Sequence, residues 1–361
     1  NASIGDYSSL GLMSTTTNYN ENTALALSQP LNPSLTWEKQ KLFTAGINGR
    51  LWNRFDFDIS YYVRKTSNML MDVPYPYTTG FSSVTSNVGE LQNSGIDVRL
   101  GVDIVRTKDY FVNFSTTFNY NKMKVTSLFD GRNRWEVANT MVAYVVGSPV
   151  MYYLPLYAGV DPTDGAPMWY KAGDNKDVTT KSETTKDFQE AALTQNSGKK
   201  RFAPVNGGFG LNAGWKGFTL EADFSYVLGK YLVNNDAYFY ENPNVVLTSY
   251  NQRKTVNDFW SEENPNAKFP KWSDGHTLQF DDHLLQNASF MRLKNLQIGY
   301  NFPKSILGWQ NVINDVKVTF TGRNLFTVTS YEGIDPEVDS NLTYGVTGNS
   351  KQYLFGLEVT F

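Results

Sequence analysis

Residues 54 to 64, Arg-Phe-Asp-Phe-Asp-Ile-Ser-Tyr-Tyr-Val-Arg, alternate between apolar and polar side chains. In an extended chain, successive side chains point to opposite faces. One face of this stretch therefore carries Phe55, Phe57, Ile59, Tyr61 and Val63, and the other carries Arg54, Asp56, Asp58, Ser60 and Arg64. A strict period of two predicts a β-strand with one apolar face and one wet face.

The same alternation recurs along the whole chain. We predict further strands at 36–50, 96–104, 110–121, 151–160, 167–171, 207–215, 218–227, 290–302, 316–327 and 351–361. Several exceed the about five or six residues usual in a globular sheet and reach the about ten of a tilted membrane-spanning strand. The fold class predicted is all-β, a transmembrane antiparallel β-barrel.

The connections between these strands alternate in length. Short links occur at 51–53, 106–109, 161–165 and 216–217, with a moderately longer one at 303–315. Long polar stretches fill 65–91, 123–150, 172–203, 231–288 and 328–350, and residues 1–34 also form a long Asn/Thr-rich loop. In an antiparallel meander this rhythm places every long loop on one side, as in bacterial outer-membrane barrels. We predict that the long stretches are extracellular.

The strand count predicts only part of a barrel. About eleven strands are found, whereas plugged outer-membrane transporters have about 22. We therefore expect residues 1–361 to be the C-terminal portion of one barrel, without a separate second domain and without the plug. The last strand alternates up to Phe361. Such an apolar edge would promote aggregation in a soluble protein, so it fits the closing seam of a barrel.

Composition excludes several classes of function. The formal net charge is −3 and offers no basic field for nucleic acid. There is no cysteine, which excludes disulfides and thiolate chemistry. No apolar stretch approaches the about 18 residues that a membrane-spanning helix needs. We predict a membrane-embedded β protein that does not bind nucleic acid.

The sequence carries no recognisable catalytic motif, and we predict that the protein is not an enzyme. His276 and His283 lack the spacing of metal ligands. The acidic groups Asp161/Asp164, Asp281/Asp282 and Asp335/Glu337/Asp339 offer oxygens that could hold calcium. Asp-Pro and Asp-Gly are ordinary turn formers, so turns are favoured and no cofactor is expected, with a loop calcium ion as the alternative.

Aromatic side chains in the loops and near strand ends are the candidates for binding substrate, because their rings can stack on sugars or on peptide side chains. The candidate substrate-binding residues are Trp169, Tyr170, Tyr238, Tyr240, Trp260 and Trp272. Tyr75 and Tyr77 belong to the same class. Interface girdle or loop packing is the commoner role of aromatics in a barrel.

Six stretches together resemble the SusC/RagA family of TonB-dependent transporters. They are Asn32 to Glu38 (NPSLTWE), Asn93 to Asp97 (NSGID), Tyr157 to Pro162 (YAGVDP) with Gly165, Phe259-Trp260 with Asn264-Pro265, Arg292 to Tyr300 (RLKNLQIGY) with Pro303, and Asn324 to Thr327 (NLFT) with Tyr331, Gly333 and Asp335-Pro336-Glu337. Each stretch alone is weak, but their order and spacing are specific. The similarity spans most of the chain.

The resemblance implies a 22-stranded barrel in the outer membrane of a Gram-negative bacterium, closed by the chain's own N-terminal half. It also implies an internal plug, a SusD-like surface lipoprotein as a lid, and coupling to TonB through the N-terminal region. The cargo expected is a nutrient oligomer, an oligosaccharide before a peptide. We expect the 231–288 loop, with Trp260 and Trp272, to meet the lid.

Three alternatives remain open at this stage. The first keeps the same barrel and makes it a receptor for a metal chelate or a vitamin. A soluble β-rich carbohydrate-binding module or adhesin would show the same alternation, because periodicity does not say whether an apolar face meets lipid or a core. An enzyme would rest only on a carboxylate pair such as Asp281 and Asp282.

Overall fold

The computed structural model describes residues 7–19, 22–75, 77–137, 140–192, 194–242, 251–272, 276–303, 312–339 and 347–361. No helix within these ranges is long and apolar enough to cross a membrane. The described strands are β1 (Leu12–Tyr19), β2 (Asn22–Gln29), β3 (Lys39–Leu51), β4 (Phe55–Ser67), β5 (Leu70–Pro74), β6 (Ser83–Asn87), β7 (Gly89–Arg106), β8 (Tyr110–Leu128), β9 (Arg134–Val137), β10 (Val142–Val145), β11 (Met151–Leu154), β12 (Leu156–Val160), β13 (Pro167–Tyr170), β14 (Thr184–Thr185), β15 (Gln195–Lys200), β16 (Val205–Trp215), β17 (Phe218–Leu228), β18 (Tyr231–Val233), β19 (Leu285–Asn287), β20 (Phe290–Asn301), β21 (Asp315–Arg323), β22 (Thr327–Thr329) and β23 (Gln352–Thr360).

Helical structure in the described ranges is confined to short pieces. The α-helices are α1 (Phe188–Ala191) and α2 (Asn235–Tyr240), and the 3₁₀ turns are Tyr77–Thr79, Phe129–Gly131, Lys254–Asn257 and Asp282–Leu284. The chain divides into two compact units. Unit 1 is 1–45, 62–95 and 122–150, and unit 2 is 46–61, 96–121 and 151–361. Four of the five boundaries fall within the long strands β3, β4, β7 and β8, and the fifth lies directly before β11.

A large sheet dominates unit 2. Its strand order is β23-β21-β20-β17-β16-β8-β7-β4-β3, and β22 also pairs with β20, which makes ten strands among the described residues. The pairings from β8 to β23 are antiparallel. Strands β16 and β17 are joined by Lys216 (φ 45°) and Gly217 (φ 90°). Positive φ at both positions is typical of the tight hairpin turn whose twist matches its strands.

The register of this sheet separates an apolar face from a polar one. Leu211 lies beside Phe114 and Ala222, and the next residue, Asn212, lies beside Asn113 and Glu221. The sequence-predicted alternation is thus preserved across neighbouring strands. One face is suited to lipid and the other to a hydrated interior.

Side chains on the polar face hydrogen-bond to each other across the strands. Asn113 Nδ2 donates to Asp103 Oδ1 at 2.6 Å, and Arg50 Nη2 lies 3.3 Å from Asp103 Oδ2. Asn119 Nδ2 donates to Asp97 Oδ1 at 2.5 Å. Asp97 and Asp103 therefore lie on the polar face, as the alternation predicts.

Large aromatics cluster where the short links join the strands of unit 2. The exposed aromatics at these ends are Trp52, Tyr110, Trp215, Phe218 and Phe361. Trp52, in the β3–β4 link, is 84% exposed. Aromatics at this level are the interface girdle of an outer-membrane barrel.

Two predicted barrel strands lie outside the large sheet. The 151–160 stretch is divided at Pro155 into β11, which pairs with β15, and β12, which pairs with β13 of the 167–171 stretch. The side chains of Tyr152, Tyr153 and Leu154 are each 2% exposed. Both faces of β11 are therefore covered by protein, which alternation in the sequence does not reveal.

The loop boundaries also differ from the prediction. Residues 1–34 contain the β1–β2 hairpin, and 65–91 contains the β5–β6 hairpin. Strands β7 and β8 have 18 and 19 residues, beyond the predicted 96–104 and 110–121. Because about 9 to 11 residues suffice to cross the hydrocarbon, these strands continue past it into the long-loop side.

Unit 1 has its own small core, formed by Met69, Val88, Val125, Leu128, Trp135 and Val150. Phe129 packs edge-on against Trp135, with ring centroids 5.5 Å apart. The Asn87 side chain ties the chain ahead of β3 to this core. It donates to the carbonyls of Thr36 and Asn68 at 2.8 and 2.9 Å and accepts from the Thr36 amide at 2.9 Å.

The assignment of faces predicts a one-sided response to charge. In the full-length protein, Val98→Arg on the apolar face of β7 should destabilise the fold by about 2 to 4 kcal/mol, because arginine is costly near the bilayer midplane. The control is Thr117→Arg, on the polar face of β8, which should cost much less. Urea unfolding in liposomes measures both variants. Equal losses of stability would contradict the orientation.

Candidate functional site in the loop segments

Trp169 of β13 is part of a buried hydrogen-bonded group in unit 2. Its side chain is 2% exposed, and its Nε1 donates to Asp281 Oδ2 at 2.6 Å. Asp281 also accepts from the backbone amide of His283 at 2.9 Å, and His283 Nδ1 lies 2.5 Å from Asp281 Oδ1. Phe188 of α1 packs edge-on against the indole at 5.1 Å. In this structure Trp169 joins three segments and presents almost no surface to a ligand.

The turn between β12 and β13 is organised by its own carboxylates. Lys186 Nζ lies 2.6 Å from Asp161 Oδ2 and 2.9 Å from Asp164 Oδ2. Hydrogen bonds from the Lys186 side chain and the Thr163 backbone amide lower the pKa of Asp161 to about 2. These two aspartates act as turn formers paired with a lysine.

Trp260 docks on that same turn. Its Nε1 donates to the Pro162 carbonyl at 3.1 Å, and its side chain is 7% exposed. The Lys271 amide donates to the Gly165 carbonyl at 2.9 Å. A Cβ on Gly165 (φ 77°) would lie 2.6 Å from the Trp260 ring, so glycine is required by both backbone and packing.

A network of ion pairs joins β20 to the segment after β22. Arg292 Nη2 lies 2.6 Å from Asp335 Oδ1, and Arg292 Nη1 lies 2.7 Å from Glu337 Oε2. Lys294 Nζ lies 2.6 Å from Glu337 Oε1, and the Asn349 side chain donates to both acidic residues. Arg292 and Asp335 are each 3% exposed. This buried pairing fixes the 335–339 segment against the sheet.

Two further basic residues hold the same acidic segment. Lys230 Nζ donates to the Pro336 carbonyl at 2.6 Å, and Arg201 Nη2 lies 3.1 Å from Asp339 Oδ2. Burial tends to raise the pKa of Asp335, but hydrogen bonds from Arg292 and from the amides of Glu337 and Asn349 outweigh it and lower that pKa to about 2. The carboxylate therefore stays charged at any physiological pH.

The other candidate aromatics lie in separate clusters of unit 2. Tyr170 lies half-buried with Lys181 Nζ 5.7 Å from its ring, and Tyr238 of α2 packs against Phe239 and Phe280 at 5.4 and 5.9 Å. Tyr240, at the end of α2, is also half-buried. Trp272 is 44% exposed and lies 5.2 Å from the ring of Phe259. Of the six candidates, Trp272 offers the most open surface.

A cleft in unit 1 is lined by Tyr75, by Asn32 and Ser34 of the NPSLTWE stretch, and otherwise by residues that the sequence did not single out. Its volume is about 720 Å³. Tyr75, Phe81 and Phe129 contribute aromatic wall, and Asp130 and Arg132 contribute charge. For the charged residues of the cleft, the sequence offered only the Asp-Gly turn at 130–131. The side chain of Tyr77 lies outside the described residues.

The described residues contain no group of three His, Asp or Glu side chains placed to hold a metal ion. Asp281, Asp335 and Glu337 instead accept hydrogen bonds from protein groups. The loop calcium ion stays a prediction.

Comparison with known proteins identifies the chain. No protein-family profile matches it. TonB-dependent receptor SusC of Bacteroides thetaiotaomicron is 28% identical over 94% of this chain and 34% of its own length. TonB-dependent receptor P3 of Formosa agariphila is 26% identical over 91% of this chain and 35% of its own length. A solved structure of the RagAB peptide transporter matches 100% of this chain with a TM-score of 0.89 and 41% identity, over 40% of the matching chain.

These findings define the chain as a portion of an outer-membrane β-barrel, located in the outer membrane of a Gram-negative bacterium. The barrel is of the SusC/RagA type of TonB-dependent receptor, which confirms the resemblance carried by the motifs. The chain spans between 34% and 40% of the length of these relatives. The names of these relatives describe receptors and a transporter, and none describes an enzyme.

The docking of Trp260 predicts a specific effect of Gly165→Ala. The added methyl group meets the indole and strains a left-handed residue, so we expect a loss of about 1 to 3 kcal/mol and faster amide hydrogen exchange across 258–271. Gly147→Ala is the matched control, because Gly147 has a similar φ of 91° and no atom within 4 Å of the added Cβ. If amide exchange across 258–271 rose equally in both variants, backbone strain would explain the effect of Gly165→Ala and the docking of Trp260 would not.

The buried ion pairs predict that Arg292→Gln is costly. Removing Arg292 leaves the buried Asp335 carboxylate without its cation and leaves Glu337 paired with Lys294 alone, and we expect a loss of about 3 to 5 kcal/mol in the full-length protein. Amide exchange should rise in 335–339 before the rest of unit 2. The control is Arg106→Gln, whose side chain is 74% exposed and which should cost less than about 1 kcal/mol. Unchanged exchange in 335–339 would show that this network does not hold the segment.

Proposed function

We propose that the whole protein is a TonB-dependent importer of nutrient oligomers, in which this chain supplies part of the barrel wall and several external loops. The supporting observation is the match to the RagAB peptide transporter at 41% identity, over 100% of this chain and 40% of the matching chain. A sheet with one apolar and one polar face is suited to this role, because lipid can contact the apolar face and the cargo can pass along the polar face. No covalent chemistry is needed.

For the cargo, we propose a peptide ahead of the oligosaccharide that the sequence alone favoured. The solved structures that match the chain at 41% and 40% identity are described as a peptide transporter and a peptide importer. Exposed aromatics such as Trp272 are compatible with either ligand, because rings stack on sugars and on side chains alike. A metal chelate or a vitamin is not favoured by any contact in the described residues.

For the partners, we propose a SusD-like lipoprotein lid outside, and TonB acting through a region beyond this chain. The order of the large sheet ends at β3 on one side and at β23 on the other, within the described residues. Unpaired backbone groups cost several kcal/mol each in hydrocarbon. We propose that strands of the protein's own N-terminal half pair with these two edges.

The proposed function is tested by uptake in cells that lack the gene and carry it back on a plasmid. We expect restored uptake of isotope-labelled peptides of about five to fifteen residues, and no uptake when TonB is deleted. Labelled maltoheptaose and a dextran oligomer serve as the glycan arm. Restored uptake of the glycans alone would reverse the order of cargo, and restored uptake of neither class would overturn the proposal.

The exposed Trp272 and Phe259 pair predicts where the lid contacts this chain. We expect Trp272→Ala to reduce co-purification of the lipoprotein with the full-length transporter about tenfold, as loss of a buried aromatic anchor does at an interface. Trp215→Ala is the matched control, because Trp215 is also exposed, at 59%, but lies in the aromatic girdle. Equal co-purification of the two variants would remove Trp272 from the lid contact.

A further inference from the structure

The cleft of unit 1 contains an arginine held in place without an anionic partner. Arg132 lies with its guanidinium 4.8 Å from the centre of the Phe129 ring, and its amide donates to the Phe129 carbonyl at 3.1 Å. Phe129 is itself fixed, because its amide donates to the Val88 carbonyl at 3.0 Å and its ring packs on Trp135. In the part of the chain that the structure describes, no carboxylate forms an ion pair with Arg132.

A carboxylate lines the same cleft two residues away. Asp130 is exposed and has φ 53° and ψ 26°, in the left-handed region that aspartate and asparagine adopt more readily than most other residues besides glycine. Gly131 also has a positive φ, of 65°, so the two residues form a turn that places Asp130 at the cleft. Among the described residues, no cation forms an ion pair with Asp130. The cleft thus offers one positive group, whose guanidinium lies over the Phe129 ring, and one exposed negative group.

The rest of the cleft provides an apolar wall with polar edges. Tyr75, Phe81 and Val84 contribute apolar surface, and Asn32 contributes an amide. The amide of Asn32 donates to the Thr85 carbonyl at 3.0 Å, so the chain of Asn32 is anchored to β6. A volume of about 720 Å³ lies within the about 300 to 1,000 Å³ usual for small-ligand sites.

We propose that this cleft is a subsite for a peptide that carries both charges, with Arg132 binding a carboxylate and Asp130 binding an ammonium group. The proposal rests on the proposed function, since it assigns a place for part of the cargo. A guanidinium binds a carboxylate through two parallel hydrogen bonds, which gives both strength and orientation. A neutral glycan would use the aromatic wall but neither charge, so the charges favour a peptide.

The test uses the full-length transporter, immobilised in detergent, and a tryptic digest of casein as the probe. One portion of the digest is left native, one is methyl-esterified to neutralise carboxylates, and one is N-acetylated to neutralise terminal amines. Mass spectrometry measures the retained peptide. We expect the wild type to retain about tenfold more native than esterified digest, because a hydrogen-bonded ion contributes roughly one order of magnitude in affinity.

Three variants distinguish the roles of the two charges. Arg132→Gln should abolish the preference for native over esterified digest, and Arg132→Lys should keep part of it. Asp130→Asn should abolish the preference for native over N-acetylated digest. Arg106→Gln, in a short link between strands, should behave as the wild type. Heat-dependent migration on gels shows that each variant retains a folded barrel.

The outcomes separate the subsite from the transporter function. Equal retention of native and esterified digest by the wild type, or an unchanged preference in Arg132→Gln, would overturn the subsite even where cells import peptides normally. Equal retention of maltoheptaose in wild type and variants, together with no retention of peptide, would also overturn it. If wild-type cells took up neither peptides nor glycans, the proposed importer function itself would be contradicted.

Discussion

The structure depends on one constraint: backbone amides and carbonyls in hydrocarbon must be paired within the protein. Antiparallel strands meet this constraint only between neighbours, so the large sheet of unit 2 stays paired from Val205 beside Tyr120 to Arg323 beside Gln352, with one shift of register between Asp223 and Phe224. Alternation then forces every second side chain toward lipid and the others inward. The hydrogen bonds among Arg50, Asp103 and Asn113 follow, because polar groups on the inward face find partners on neighbouring strands.

The polar face also provides the attachment points for long connections. Arg292 lies on β20, and the acidic segment that it binds begins 43 residues later in the chain. A buried ion pair of this kind adds little net stability compared with apolar packing, but it penalises any arrangement that separates its members. Three more contacts penalise separation of the segment from the sheet in the same way. They join Lys294 to Glu337, Lys230 to the Pro336 carbonyl and Arg201 to Asp339. Ion pairs therefore set the position of the 335–339 segment, because its sequence has too few apolar residues for packing to do so.

The sequence predicted those parts of the fold that depend on local periodicity. Strand β4 was found because a period of two needs no knowledge of neighbours. The burial of Trp169 could not be found this way, because its partner Asp281 is 112 residues distant. Strand β11 (Met-Tyr-Tyr-Leu) has no polar residue between its apolar ones, and only tertiary contacts reveal that Tyr152 and Tyr153 are both buried. The hairpins within 1–34 and 65–91 were missed because their strands are short and lack a sustained alternation of apolar and polar residues. The charged residues of the 130–132 turn could not be selected from the sequence either, because the cleft that they line is formed by segments distant in the chain.

The motifs that carry the family resemblance meet each other in space. Asp335 and Glu337 bind Arg292, and the Asp161 to Gly165 turn receives Trp260. Residues that form such contacts are constrained by the scaffold of this chain, whatever the protein imports. The motifs therefore predict the architecture of the barrel and do not predict which substrate it imports. Discrimination between a peptide and a glycan has to reside in side chains that the scaffold does not use. Arg132 and Asp130 satisfy that condition, because they line a cleft and form no ion pair with any described residue.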